Sequence, residues 1–153
     1  MAMKRWMAFA ICGMAQAVAH AAWLHLNDNH GNWDEYYDSA IDSRGKTTNI
    51  KTFSALSVKG QVPIYNAKAK PKVQLVRYRA ELSNYEFNCK DKTVQLMSRT
   101  FYADVDGKFP IITHTSKDTF IQESNSEFAH QFKPTPVYSD HTRNVLLMSL
   151  AWK

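Results

Sequence analysis

The chain has 153 residues, of which 44% are hydrophobic and 12% aromatic, with a formal charge of +5. That length suits one domain, and the apolar share excludes a disordered chain. The mild positive balance, without aromatics interleaved among the basic residues, argues against a nucleic-acid binder.

Residues 1–21 read as a secretory signal peptide. Lys4 and Arg5 give a positive start, Trp6 to Val18 is an apolar run, and Ala19-His20-Ala21 has the small-x-small pattern of a cleavage site. The run is too short to cross a bilayer, and no later stretch reaches the ~18 apolar residues of a membrane helix. No membrane span is expected. Ile11 precedes Cys12, where a lipid-anchoring signal needs a small residue. Cleavage after Ala21 removes Lys4 and Arg5, lowers the charge to +3 and leaves Cys89 as the sole cysteine. The destination is then the periplasm, the cell surface or the medium.

Trp23-Leu24-His25-Leu26 suggests a first strand, and the turn-rich Asn27 to Asn32 ends it with Gly31. Trp33 to Asp38 resumes with strand-favouring aromatics. Asp42 to Lys46 reads as a turn, and Thr47 to Val58 as a strand alternating Ile50, Thr52 and Ser54 with Asn49, Lys51 and Phe53. Lys59 to Pro71, with Gly60 and Pro63, reads as a loop.

Lys72 to Ala103 is the most ordered pattern, a long antiparallel hairpin turning at Lys90-Asp91-Lys92. Tyr78, Ala80 and Leu82 form an apolar phase against a wet one of Arg77, Arg79, Glu81 and Ser83. After Ser83-Asn84 the apolar phase moves to Tyr85, Phe87 and Cys89, which predicts a bulge and a common buried face for Tyr78, Leu82, Tyr85 and Phe87. Cys89 is expected to be a shielded free thiol, and any homodimer to form without it. Asp104 to Gly107 is a turn, Phe109 to Thr113 a strand, and Ser124 to Phe132 a short helix with Phe128 and Phe132 one turn apart. Asp140 to Lys153 fits either a docked helix or an extra strand. The fold class is α+β, mostly β: a single antiparallel β-sheet domain with one short helix near the C-terminus.

W-L-H-L, Y-Y-D-S-A-I-D-S-R-G-K, Y-R-A-E-L-S-N-Y-E-F-N-C-K, L-M-S-R-T-F-Y and D-G-K, in this order from Trp23 to Phe132, resemble the bacterial surface-adhesin E family. The resemblance implies a secreted antiparallel sheet with a terminal helix and no enzymatic activity, in a binding module for host extracellular proteins. It divides the chain into a signal peptide (residues 1–21), an adhesin-like β domain (22–133) and a C-terminal extension (134–153). The family pairs the hairpin cysteine with one at the terminal helix. Here that region reads F-A-H-Q-F-K-P, so Cys89 has no such partner.

Candidate sites are few. Lys68, Lys70, Lys72, Arg77 and Arg79, with Lys59 nearby, form the most basic stretch, a candidate patch for an anionic partner. Such lysines also serve as ordinary protection of loops and edge strands. His25, His30, Asp28 and Asp34 lack the spacing of a metal site, and Asp104-x-Asp106-Gly107 lacks the closing Glu of a calcium loop. Ser139, Asp140 and His141 are adjacent and cannot converge as a triad. Trp33, Tyr36 and Tyr37 read as core rather than as a sugar platform. No catalytic residue, cofactor or metal is expected. Two roles follow: an adhesin-like module contacting a host extracellular protein or envelope component, or a periplasmic accessory protein without adhesive function.

Overall fold

The computed structural model describes residues 22–26, 33–44, 46–66, 68, 70–137 and 142–151. The expected signal peptide, Asp28, His30, Gly31, Gly45, Ser139, Asp140, His141 and Trp152 lie outside the described residues. The rest is one antiparallel sheet with three short helices, which agrees with the expected class. The strands are β1 (Trp23–Leu26), β2 (Trp33–Asp38), β3 (Asp42–Arg44), β4 (Thr47–Tyr65), β5 (Val73–Asn88), β6 (Thr93–Tyr102), β7 (Pro110–Thr115) and β8 (Thr135–Pro136). They run in the order β1-β2-β4-β5-β6-β7, with β3 beside β4 and β8 beside β6. The helices are α1 (Thr119–Glu123), α2 (Glu127–His130) and α3 (Thr142–Ala151).

Alternation along β4, β5 and β6 places Ile50, Tyr85, Phe87, Val94 and Leu96 on one face, where paired residues point the same way. The helices cover this face with Ile121, Ala129, Phe132, Leu147 and Met148, completing the main core. Ser126 caps α2 by accepting from the Ala129 amide at 3.2 Å. The ambiguous C-terminal stretch is thus a helix, α3, and the Ala151 carbonyl accepts the Thr48 hydroxyl at 3.2 Å. The start of β1 is held by reciprocal bonds at 3.0 Å between Ala22 and Ser39.

The opposite face carries a smaller layer. Phe53 meets Trp23 and Tyr102 there, over a fully buried Ala80. The turn from Asp104 to Gly107 closes on this layer. Gly107 has φ +69°, and a Cβ on it would stand 2.9 Å from the Phe53 ring. Asp104 accepts backbone N–H bonds from Asp106, Lys108 and Phe109 at 2.8–3.1 Å. Against some desolvation, those N–H groups hold its carboxyl below the usual range.

Several expectations need correcting. The Lys59 to Pro71 segment is not all loop, because β4 continues through Gly60 and Pro63 to Tyr65. Asp42 to Arg44 is a strand, not part of a turn. The bulge lies at the expected level but on the partner strand: Asn84 faces Ser98 and Tyr85 faces Leu96, so Met97 is the extra residue. β5 itself keeps one phase from Ala80 to Asn88. Tyr85 and Phe87 are buried, whereas Leu82 is half-buried and faces the Phe53 layer. Ser83, assigned to the wet face, is almost fully buried on the main-core side. Both faces of β5 are covered from Ala80 to Phe87, so two apolar phases coexist along that regular stretch. Cys89 is a free thiol, half-buried against the main core.

Truncating Phe87, fully buried between three strands and the helices, should cost about 3–5 kcal/mol in Phe87→Ala. Leu82→Ala should cost clearly less. Equal losses in chemical denaturation would contradict the assignment of faces.

Candidate functional site

The sheet departs from regularity most strongly in the β4–β5 ladder. Ala55 faces Ala80 and Gly60 faces Tyr78, so four residues, Leu56 to Lys59, lie opposite Arg79 alone. A bulge bends and twists its strand. Beyond it, Gly60–Tyr65 and Val73–Tyr78 continue as a two-stranded arm. Among the described residues, this part of β5 pairs with β4 only. Gly60 is required at the bend: a Cβ would lie 2.5 Å from the Tyr78 ring.

The arm has an inner and an outer face. Val62 is fully buried on the inner one, and the Pro63 carbonyl meets His114 Nε2 at 3.0 Å. Tyr65, paired with Val73, is half-exposed at the tip and stacks on Phe120 of α1. On the outer face, Arg77, Leu75 and Val73 follow one another, all exposed, with Leu75 63% accessible. Lys68, Lys70 and Lys72 crown the tip, also exposed, where the Asn66 amide donates to the Lys72 carbonyl at 2.7 Å. Four of the five basic residues singled out in the sequence therefore share this arm. Arg79 is set apart: half-buried at the bulge, its Nε donates to the Leu56 carbonyl at 3.4 Å. Lys59 is exposed within the bulge beside Val58.

At the root of the arm lies a polar enclosure that the sequence did not announce. Pairing aligns Glu35, Ser54 and Glu81 in one row across β2, β4 and β5, on the main-core side. The next row brings Ser83 beside Arg99. The Arg99 guanidinium donates to Ser83 Oγ at 2.8 Å, Gln131 Oε1 at 2.8 Å and the Tyr85 hydroxyl at 2.9 Å. Its Nε stands 3.7 Å from Glu81 Oε1. One planar cation thus ties β5, β6 and the end of α2 together. Tyr78 enters from the arm, edge-on to Phe101 at 4.7 Å. Burial first, then the Glu81 carboxylate, push its phenol from 10.0 to about 12, against the opposing pull of Arg99. These members come from five elements, β2, β4, β5, β6 and the end of α2, and each looks like an ordinary polar residue of its segment. The one legible hint was that Glu81 shares the phase of Tyr85 and Phe87.

The other candidates remain separate. His25 and Asp34 approach to 4.0 Å on the exposed surface, and among the described residues no three His, Cys, Asp or Glu side chains gather as metal ligands. Tyr36 lies edge-on to His25, and Tyr37 packs against the main core. No described helix is long and apolar enough to cross a membrane.

The Tyr78 phenol is neutral while protonated, so a folded-state value of about 12 against 10.0 means that folding favours the proton. This contribution is complete below pH 10 and lost as pH rises through about 12. Tyr78→Phe should remove one late-titrating phenol from the alkaline absorbance titration and flatten the loss of stability over that window. Loss of a phenol that titrates near 10.0 instead would place Tyr78 in water.

Comparison with protein-family models, with curated proteins and with solved structures finds no match to this chain.

Proposed function

We propose that this chain is an exported bacterial binding module of adhesin-like type, and that its β4–β5 arm is the surface that meets an acidic protein partner. The partner is a host extracellular protein or an exposed envelope component. One observation carries the reading: exposed Lys68, Lys70 and Lys72 at the tip and exposed Arg77 lie on the same two-stranded arm as the exposed Val73 and Leu75. Cations and exposed apolar side chains together supply steering and desolvated contact at once. Solubilising lysines alone would not require Val73 and Leu75 to be exposed on the same arm. Export follows from the apolar start and the Ala19-His20-Ala21 pattern.

The purified protein should bind surfaces coated with extracellular-matrix protein, and binding should weaken as salt is raised. Replacing Lys68, Lys70, Lys72 and Arg77 together by Glu should reduce it by about tenfold or more. Lys90→Glu, at the far hairpin turn, should leave it unchanged. No binding, or equal binding by the two variants, would remove the arm as the interface. Protease shaving of intact cells should digest the protein; full protection would favour a periplasmic accessory role instead.

A further inference from the structure

The enclosure at the root of the arm is a cavity of about 380 Å³. That lies within the ~300–1,000 Å³ range of small-ligand sites. Ser54 sits at its floor between Glu35 on one neighbouring strand and Glu81 on the other. Ser54 as a residue is only 7% exposed, and its side chain lines the cavity, where its hydroxyl is within reach of a ligand. The walls are the rings of Tyr78 and Tyr85, with Arg99 and Gln131 closing one side.

We propose that this cavity is a binding site for a small, neutral, polyhydroxylated ligand of the size of a single saccharide ring. A sugar hydroxyl both donates and accepts. The cavity offers the remaining carboxylate lone pairs of Glu35 and Glu81, a hydroxyl of either role at Ser54, the Tyr78 oxygen as an acceptor because its O–H is given to Glu81, and an amide at Gln131. The Gln131 oxygen already accepts from Arg99, so its NH₂ group is left to donate elsewhere. The tyrosine rings supply faces for the C–H side of a pyranose. The array is held before any ligand arrives, because Arg99 is fixed by Ser83, Tyr85 and Gln131. A purely apolar molecule would strand these polar groups, and an anion would face two carboxylates. This site is independent of the arm's outer face and stands or falls without it.

The test is NMR of the purified, isotope-labelled protein with N-acetyl-D-glucosamine, D-galactose and D-mannose, and with methylammonium and inorganic phosphate as comparison probes. At least one saccharide should shift the Ser54 amide and the Arg99 Nε–H resonance. Ser54→Val should weaken that binding by about tenfold while the other amide resonances stay in place. Should Ser54→Val not fold, Glu81→Gln provides the same comparison with the expected loss. The proposal is overturned if no saccharide perturbs these resonances, if the variant binds equally well, or if methylammonium or phosphate occupies the cavity instead.

Discussion

The four residues opposite Arg79 govern what this sheet can do. A regular ladder from Ala55 to Tyr65 would have left β4 and β5 as two long strands in a single twisted plane. The bulge at Leu56–Lys59 instead re-aims everything beyond Gly60. Its consequences are specific. Tyr78 is brought over Gly60 and onto Phe101, Val62 is buried, and Pro63 reaches His114. The opposite side of the arm is left facing water with Val73, Leu75 and Arg77. The exposed outer face of the arm and the cavity at its root are two products of one local irregularity.

The enclosure places polar groups in the middle of a sheet where packing alone would select Val or Ile. Burying Glu35, Ser83 and the Glu81–Arg99 pair carries a desolvation cost that only good geometry offsets. Arg99 meets that demand with three hydrogen bonds to three different partners. Replacement by a shorter cation would lose the planar fork, and replacement by a neutral residue would leave Glu81 without its cation. Such an arrangement is weak evidence for stability and stronger evidence for positional specificity. It fixes where β6, β5 and the end of α2 sit relative to the arm.

Much of the architecture was legible because it is local. The β5–β6 hairpin follows from alternation and a polar break at Lys90 to Lys92, and α2 from Ser126 and the Phe128–Phe132 spacing. The misreadings have physical causes. Gly60 and Pro63 look like chain breakers, yet one is demanded by the Tyr78 ring and the other is accommodated within the paired arm. The apparent slip at Ser83-Asn84 came from a strand with two covered faces, where Ala80 and Leu82 serve the Phe53 layer and Tyr85 and Phe87 the main core. The five-residue α1 has no side-chain cap bond at Asp118 and was not anticipated. The basic arm could be found as a stretch of sequence, though not the separation of Arg79 from it. Glu35, Ser54, Glu81 and Arg99 become neighbours only through cross-strand register, which no local pattern encodes.

Amide hydrogen exchange across β4 and β5 tests most directly whether the bulge divides the ladder into a core part and an arm. The amides of residues 50–55 and 81–87 are expected to exchange only through global unfolding, while those of residues 61–65 and 73–77 open at lower free energy by local separation. A single, uniform protection level along both strands would contradict the division.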